Sequence, residues 1–211
     1  MAPMTSTVLL YVFDGFADWE AAFVTAGLQS PRFQREPGRW QVKTVAARRD
    51  GLVQSMGGLT VVPDLGLDQV RPADHAMLIV PGGDGWEADG AHAWVVNKAA
   101  DFLEQDVPVA AICGATAGLA KAGLLDDRAH TSNALAYLKG TGYEGAHLYV
   151  DEPVVNDGRL VTAGGMAPLE FAREIFRLLD VYEDEVLEAW YQLNKTGKSV
   201  WFARQQAAAE G

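Results

Sequence analysis

VPVAAICGATAGL, residues 107–119, is the stretch of sequence that decides the fold. Its first half is a short apolar run with β-branched residues, which is typical of a buried parallel strand. The run ends at Cys113-Gly114 and passes directly into Ala- and Leu-rich helical sequence. A strand that turns sharply into a helix lifts the residue at the turn above the sheet, as the nucleophile elbow of hydrolases does.

The residue at that turn is the only cysteine of the chain. The first N–H groups of the following helix would point at its thiol, and such a position lowers a thiol pKa. We therefore predict that Cys113 is a reactive thiol with a pKa below that of a free cysteine. The alternative is that Cys113 is a small buried hydrophobe, which is the usual fate of a lone cysteine.

Composition limits the classes of protein to which the chain can belong. Its 211 residues suit a single α/β domain, spanning 1–211. The net charge of −11 argues against nucleic acid as a partner, because nucleic-acid binding needs a basic face. Residues 1–7 carry no signal-peptide pattern and no stretch approaches the length of a membrane span, so we expect a cytoplasmic protein that has no membrane partner.

The sequence contains no residue pattern that indicates a metal site or a cofactor site. One cysteine excludes an intrachain disulfide, and the four scattered histidines offer no zinc-like spacing. The glycine pairs do not form a phosphate-binding fingerprint. We therefore expect a protein without a metal or a cofactor.

Strand-like and helical segments alternate along the chain. The predicted strands are Thr7–Phe13, Trp40–Ala46, Met77–Val80, the run before Cys113 and the short Ala129–Ser132, with hairpins at 53–62 and 154–162. The predicted helices are Trp19–Gln29 capped by Asp18, Ala91–Gln105, the elbow helix as far as Gly123, Pro168–Leu179 and Asp184–Asn194; the tail, Thr196–Gly211, is expected to fray. This alternation implies a mostly parallel sheet with helices on both faces.

Four loops leave the carboxyl ends of the predicted strands, where ligands bind in such folds. They are Asp14–Glu20, Gly82–Gly85, Cys113–Ala115 and Gly164–Met166. Glycines let backbone N–H groups approach a ligand closely, although ordinary turn chemistry also accounts for a glycine pair. Three of these loops carry a glycine pair or a glycine beside Cys113. Because they coincide with the elbow, a ligand-binding or catalytic site at this edge of the sheet is favoured.

Together these segments resemble the ThiJ/PfpI superfamily, which is related to the class I glutamine amidotransferases. The resemblance extends from about Val8 to Leu179 and rests on DWE at 18–20, VPGG at 80–83, AICG at 111–114, TSN at 131–133 and VTAGG at 161–165. It implies a flavodoxin-like three-layer sandwich that is usually dimeric and acts on a small-molecule substrate. Members of the superfamily include intracellular proteases, amidases, glyoxalase-like enzymes, isonitrile hydratases and redox-sensing stress proteins.

The same resemblance implies roles for four residues. Cys113 is expected to be the nucleophile, and Glu20 the carboxylate that contacts its sulfur. The N–H groups of Gly83 and Gly114 are expected to form the oxyanion hole. Because a carboxylate and a thiolate in one pocket repel each other, we predict a raised pKa for Glu20.

The chain departs from the family pattern where a proton carrier is expected. Protease-like members often place a histidine directly after the elbow cysteine, where this chain has Gly114. Other members place a histidine where Asn133 stands, and an amide cannot accept and return a proton. The only histidines are His75, His92, His130 and His147, each more typical of a surface or packing residue, although His92 could fold back over the pocket. The proton carrier of a hydrolase would then be Glu20, provided that it is protonated or shares a proton with Cys113, or a histidine brought in by the fold or by a partner chain.

Asn133, Gly165 and Trp86 are the candidate substrate contacts. The segment Trp86–Asp89 could line a pocket, but a solvated loop explains it more simply. Aromatic residues near the C-terminus, at 190–191 and 201–202, indicate a covered core edge or a subunit interface.

Three functional hypotheses follow. The first is a cysteine-dependent hydrolase, amidase or lyase that acts on a small amide, nitrile-like or carbonyl substrate through Cys113 and Glu20. The second is a redox-sensing stress protein whose Cys113 is oxidised without turnover, because a neighbouring carboxyl group can hydrogen-bond a sulfinate. The third is a binding module that has kept the fold and lost the chemistry. The first hypothesis is favoured. The sequence does not identify the substrate, because the loops around the pocket determine it and the fold does not.

Overall fold

The computed structural model describes residues 5–88 and 90–210. Met1–Met4, Asp89 and Gly211 lie outside the described residues. The predictions for the N-terminal segment 1–7, for the Trp86–Asp89 loop and for the end of the tail are therefore only partly covered.

Seven strands form one sheet. In chain order, the strands of the protein are β1 (Ser6–Tyr11), β2 (Trp40–Ala46), β3 (Val53–Gln54), β4 (Thr60–Val61), β5 (Leu65–Gly66), β6 (Met77–Val80), β7 (Val109–Ile112), β8 (Val154–Asn156) and β9 (Leu160–Ala163). The sheet has the order β5-β2-β1-β6-β7-β9-β8, and β3 and β4 form a separate antiparallel ribbon. All neighbours in the sheet are parallel except β8 and β9. The carboxyl ends of β1, β6, β7 and β9 therefore meet at one edge.

Helices cover both faces of this sheet. They are α1 (Asp18–Gln29), α2 (Ala93–Glu104), α3 (Gly114–Lys121), α4 (Leu135–Lys139), α5 (Pro168–Leu178), α6 (Asp184–Thr196) and α7 (Val200–Glu210). One core cluster packs residues of α1, α5 and α6 on one face, and a second packs residues of α2, α3 and α4 on the other. The central strands are apolar because both of their faces are buried. The predicted flavodoxin-like three-layer sandwich is confirmed.

The strand and helix predictions need three corrections. Asp18 is the first residue of α1 and does not cap it, because Ala17 occupies the cap position without a side-chain hydrogen bond. Ala129–Ser132 is not a strand; His130 alone forms an isolated bridge, to Tyr149. The tail does not fray, since α7 packs against α6. The sequence of α7 contains Ala and Gln in series, and these residues favour a helix once one side is covered.

The Asp18 side chain fastens the β3–β4 ribbon to the start of α1. Its Oδ2 accepts hydrogen bonds from the Ser55 hydroxyl at 2.5 Å and from the Gly57 N–H at 3.0 Å. Backbone bonds from Gly15 to Gln54 and from Met56 to Phe16 complete the junction. The ribbon is thereby held two residues away from Glu20 along α1.

Among residues 5–88 and 90–210, no helix combines the length and apolar character that crossing a membrane requires.

Candidate active site

Cys113 stands alone between β7 and α3. Its backbone has φ 58° and ψ −127°, a region that residues with a Cβ rarely occupy and that costs about 1–3 kcal/mol. Three hydrogen bonds hold this conformation: the Cys113 N–H donates to Ala163 O at 2.9 Å, and the Thr116 N–H and hydroxyl donate to Cys113 O at 3.1 Å and 2.6 Å. The predicted elbow is therefore present, with its strain held by β9 and by the first turn of α3.

Two glycines let the neighbouring loops close on the thiol. A Cβ on Gly82 would lie 2.7 Å from the Cys113 Cβ, and a Cβ on Gly165 would lie 2.8 Å from the Cys113 Sγ. Neither distance is possible without movement. The glycines at 82 and 165 are needed for this close approach, and not merely for their turns.

Glu20 reaches the elbow from the first turn of α1 and is 1% exposed. Its Oε2 accepts a hydrogen bond from the Gly82 N–H at 2.6 Å, and its carboxyl group is hydrogen-bonded to the Cys113 thiol. Burial raises the pKa of Glu20 to about 7, against the opposing effect of these hydrogen bonds. The direction agrees with the prediction from the sequence, but the main cause is loss of solvent and not repulsion by the thiolate.

The prediction of a lowered pKa for Cys113 is wrong for this arrangement. Burial raises the pKa of the thiol, and the charge of Glu20 raises it further. Hydrogen bonds from Asn133 and from the Gly114 N–H act in the lowering direction without prevailing. The helix terminus contributes as expected, but the thiol is half-buried beside a carboxyl group, and desolvation outweighs the N–H groups.

Asn133 lies on the exposed side of the sulfur and is held in one orientation. Its Oδ1 accepts a hydrogen bond from the Gly165 N–H at 2.8 Å, so its Nδ2 faces Cys113 Sγ at 3.3 Å. The side chain is thus a hydrogen-bond donor to the sulfur. Because the acceptor end is already occupied, Asn133 offers the thiol no group that could take its proton.

The two expected oxyanion donors have different surroundings. The Gly114 N–H is hydrogen-bonded to Cys113. Gly83 forms an isolated antiparallel bridge with Phe16, held by bonds from Ala17 to Gly82 and from Asp84 to Gly15. In such a pair the N–H of the bridged residue points away from its partner. The N–H of Gly82, the glycine before it, donates to Glu20.

Trp86 is 2% exposed and packs against the elbow helix. A Cβ on Gly114 would lie 2.8 Å from its Cδ1, and one on Gly118 would lie 2.6 Å from its Cε3. The indole is therefore a buried support for α3, and the segment that follows it is exposed at Glu87 and Ala88. A solvated loop at these two residues agrees with the simpler of the two expectations.

The histidines are held away from the proton chemistry. His92 stacks on Trp86 with ring centroids 4.2 Å apart and is hydrogen-bonded to the Tyr11 hydroxyl and to Asp84 O. His130 is fully buried between Arg128 O and the Tyr143 hydroxyl. Within the described part of the chain, no histidine is hydrogen-bonded to Cys113 or Glu20. Glu20 is the titratable group beside the thiol.

The Tyr137 hydroxyl donates to Glu87 Oε1 at 2.9 Å, joining α4 to the loop that follows Trp86. The two residues are fifty positions apart and match no motif, so no local signal indicates that they meet.

No set of three or more His, Cys, Asp or Glu side chains within 5–88 and 90–210 is arranged to hold a metal ion. The chemistry that this arrangement can perform is sulfur addition with a single carboxyl group as proton carrier. A carboxyl with a pKa near 7 is suited to that exchange at neutral pH.

Comparison with known proteins adds independent findings. The model of the DJ-1/PfpI family matches residues 6–178. The Bacillus subtilis protein YoaZ, which bears the name uncharacterized protease, is 41% identical over 201 residues, covering 94% of this chain and 95% of YoaZ. A deglycase of Thermococcus kodakarensis is 30% identical over 175 residues, covering 82% of this chain and 98% of the deglycase. A crystal structure of a thiJ/pfpI family protein from Bacillus anthracis matches with a TM-score of 0.89 and 38% identity, covering 99% of each chain.

Proposed function

Because the chain belongs to the DJ-1/PfpI family, we propose that it is a cysteine-dependent hydrolase or amidase-like enzyme that acts on a small carbonyl or amide substrate. Cys113 is the nucleophile and Glu20 the proton carrier. The observation that carries this proposal is the hydrogen-bonded pair of a thiol and a carboxyl group at a strained elbow. Names of relatives support it, since they include a protease and a deglycase.

The resting pair above neutral pH is a carboxylate and a neutral thiol, because the pKa of Glu20 is about 7 and the pKa of Cys113 is raised. Glu20 takes the thiol proton as the S–C bond forms and the carbonyl π electrons move to oxygen. In this proposal the N–H of Gly114, which is hydrogen-bonded to Cys113 in the resting site, donates to that oxygen, with the N–H of Gly83 as the second candidate donor. The Asn133 amide orients the sulfur as its charge develops.

With an amide substrate, Glu20 then returns its proton to the leaving nitrogen as the C–N bond breaks, and a thioester remains on Cys113. Water adds to the thioester and gives one proton to Glu20. The S–C bond then breaks to release the acid, and Glu20 passes its proton to the departing Cys113 sulfur, which restores the carboxylate and the neutral thiol. With an aldehyde, the first addition gives a thiohemiacetal whose oxygen takes the proton. One carboxyl group serves each step, because it gains and loses a proton near pH 7.

A substrate panel tests this proposal. The panel contains amides, nitriles and 2-oxoaldehydes, with wild type, Cys113→Ala and Glu20→Gln compared by kcat/KM. We expect turnover of at least one class, loss of turnover in Cys113→Ala, and a wild-type rate that rises with pH through about 7 because the carboxylate is the base. Turnover that survives in Cys113→Ala, or a complete lack of turnover by wild type, would remove the enzymatic proposal.

A redox role is the second candidate, and one observation favours it. The sulfur faces both the Asn133 amide and the Glu20 carboxyl group, which when protonated can donate to a sulfinate oxygen. Peroxide titration followed by mass spectrometry tests this role. Uptake of two oxygen atoms at Cys113 at low peroxide excess, together with no turnover on the panel, would favour sensing over catalysis.

The family resemblance also leads us to propose a homodimer that works without a cofactor and in the cytoplasm. Light scattering at micromolar concentration tests the assembly, and a monomer there would contradict it. Activity that is abolished by a chelator and restored by a metal would contradict the cofactor-free mechanism.

A further inference from the structure

Hydrogen bonds form a closed circuit that starts at the carbonyl oxygen of Cys113 and ends at its sulfur. The Thr116 hydroxyl donates to Cys113 O at 2.6 Å, and its oxygen lies 2.6 Å from the Ser132 hydroxyl oxygen. Because that carbonyl engages the single proton of the Thr116 hydroxyl, the Ser132 hydroxyl donates to Thr116 Oγ1. The next residue, Asn133, closes the circuit, since its Nδ2 donates to Cys113 Sγ at 3.3 Å.

The two hydroxyl groups of this circuit are shielded from water, because Thr116 and Ser132 are both buried. A buried hydroxyl group without a partner is destabilising, so the Ser132 hydroxyl is held where Thr116 can accept its proton. Hydrogen bonds in such a chain polarise one another and become stronger where water is excluded. The link between Thr116 and Ser132 is therefore a lasting connection, unlike a surface contact that exchanges with solvent.

The segment TSN at 131–133 is attached both to the sheet and to the elbow helix. The Thr131 N–H donates to Thr162 Oγ1 in β9 at 2.9 Å, which holds the start of the segment to the sheet. The Ser132 hydroxyl bonds to Thr116, the third residue of α3, which ties the middle of the segment to the elbow helix. The amide at the end of the segment is therefore placed relative to the sulfur through both attachments.

We propose that Thr116 and Ser132 are positioning residues that hold the Cys113 sulfur against the Asn133 amide. The inference deepens the proposed function, and it rests on that function only for its effect on turnover. Its central claim concerns the reactivity of the thiol, which can be measured without a substrate. The Asn133 hydrogen bond acts to lower the pKa of Cys113. Opening the circuit should therefore withdraw that effect and leave less thiolate at a given pH.

Thr116→Val is the diagnostic variant, because valine keeps the branched shape of threonine and removes the hydroxyl group. The N–H of residue 116 still donates to Cys113 O at 3.1 Å, so the turn keeps one of its bonds. We expect iodoacetamide to alkylate Cys113 about three- to tenfold more slowly at pH 8, because part of a hydrogen bond to a charged sulfur is lost. The pH profile of the rate should move to higher pH. Thr116→Ser keeps the hydroxyl group and should restore the wild-type rate and profile.

Thr141→Val is the matched control. The Thr141 hydroxyl also donates to the carbonyl oxygen three residues earlier, Leu138 O, at 2.7 Å, but this bond lies outside the circuit. We expect Thr141→Val to be alkylated at the wild-type rate. The deficit of Thr116→Val should shrink as the pH rises past the thiol pKa, because both proteins then carry the thiolate. An unchanged or faster rate in Thr116→Val, a deficit that is the same at every pH, or a deficit that Thr116→Ser does not restore would overturn the inference.

The double variant Thr116→Val/Ser132→Ala separates positioning from stability. Thr116→Val alone leaves the Ser132 hydroxyl buried without its acceptor, whereas the double variant removes that hydroxyl as well. We expect the double variant to have a higher free energy of unfolding in urea than Thr116→Val, and to be alkylated as slowly. Alkylation that recovers together with stability would overturn the positioning role.

Turnover provides a further measurement that distinguishes this inference from the proposed function. For any substrate of the panel that wild type turns over, kcat/KM should fall in Thr116→Val and return in Thr116→Ser. Slowed and restored alkylation without turnover of any substrate by wild type would uphold the positioning role and remove the enzymatic proposal. Turnover with an unaltered kcat/KM in Thr116→Val would remove the positioning inference alone.

Discussion

Replacement of Glu20 by Gln should change how stability depends on pH. Glu20 has its pKa raised by burial from an ordinary 4.5 to about 7. A carboxyl whose pKa is higher in the folded chain binds its proton more tightly when folded, so its contribution is complete below about pH 4.5 and is lost as the pH rises through 7. One pKa unit corresponds to about 1.36 kcal/mol, so the difference between the pKa values of 4.5 and about 7 corresponds to about 3 kcal/mol.

Glutamine keeps the shape of the protonated side chain and has no proton to lose. Its Oε1 can accept the Gly82 N–H bond that Glu20 now accepts, while its amide N–H groups face the sulfur. The free energy of unfolding of Glu20→Gln minus that of wild type should therefore increase by about 3 kcal/mol between pH 4.5 and pH 8. Other titrating groups are common to both proteins and cancel in this difference.

Urea unfolding at the two pH values measures this quantity, with Glu104→Gln as a control that should show no change. The same variant separates two roles of Glu20. Removing its charge should lower the pKa of Cys113 and speed alkylation at pH 7, while turnover should fall because the proton carrier is absent. A difference in unfolding free energy that stays constant from pH 4.5 to 8 would refute the raised pKa, and retained turnover would refute the role.

Three further substitutions test the contacts around the sulfur and its helix. Asn133→Asp replaces the donor to Cys113 by a negative charge, so alkylation at pH 8 should slow by about tenfold, and an unchanged rate would contradict the hydrogen bond. Gly165→Ala would place its Cβ 2.8 Å from the sulfur, so alkylation and turnover should both fall while far-UV circular dichroism stays unchanged; full reactivity would contradict the close approach. Gly118→Ala should lower the free energy of unfolding by up to about 2 kcal/mol, because overpacking against Trp86 costs about 1–3 kcal/mol and helix propensity returns roughly 1 kcal/mol; a higher melting temperature would contradict this packing.

The sheet could be predicted because its signal is local. Met77–Val80 and Val109–Ile112 are continuous apolar runs that end at Pro81-Gly82 and at the elbow, and both are fully buried strands. The same logic gathered the loop Asp14–Glu20 at the edge that holds Cys113, since the carboxyl ends of parallel strands meet there. The family resemblance, and not the strand pattern, assigned Glu20 to the sulfur. Asp18 was expected to cap α1 because of its residue type alone. Its side chain instead accepts a hydrogen bond from Ser55 of the β3–β4 ribbon, a tertiary contact that residue type does not indicate.

The direction of the Cys113 pKa shift could not be predicted, because it depends on burial. The thiol pKa of Cys113 has opposing contributions from the helix N–H groups and from desolvation, and only the packing of the loops decides between them. The orientation of Asn133 depends on the Gly165 N–H, which lies 32 residues away in sequence. The bond between Tyr137 and Glu87 likewise requires two loops whose relative position is set by the whole sheet.

The two contacts of Asn133 also define which other side chain could take its place. The position requires an acceptor for the Gly165 N–H and a donor toward the sulfur on one planar group. A neutral imidazole satisfies both requirements, with one nitrogen accepting and the other donating, and it can release the proton that an amide must keep. We therefore expect that Asn133→His would replace the fixed hydrogen bond from the amide to Cys113 by one whose proton can be exchanged, and that the backbone would not need to move. In a collection of related sequences, Asn or His at this position beside a glycine equivalent to Gly165 would separate chains that rely on Glu20 alone from chains that have a second proton carrier.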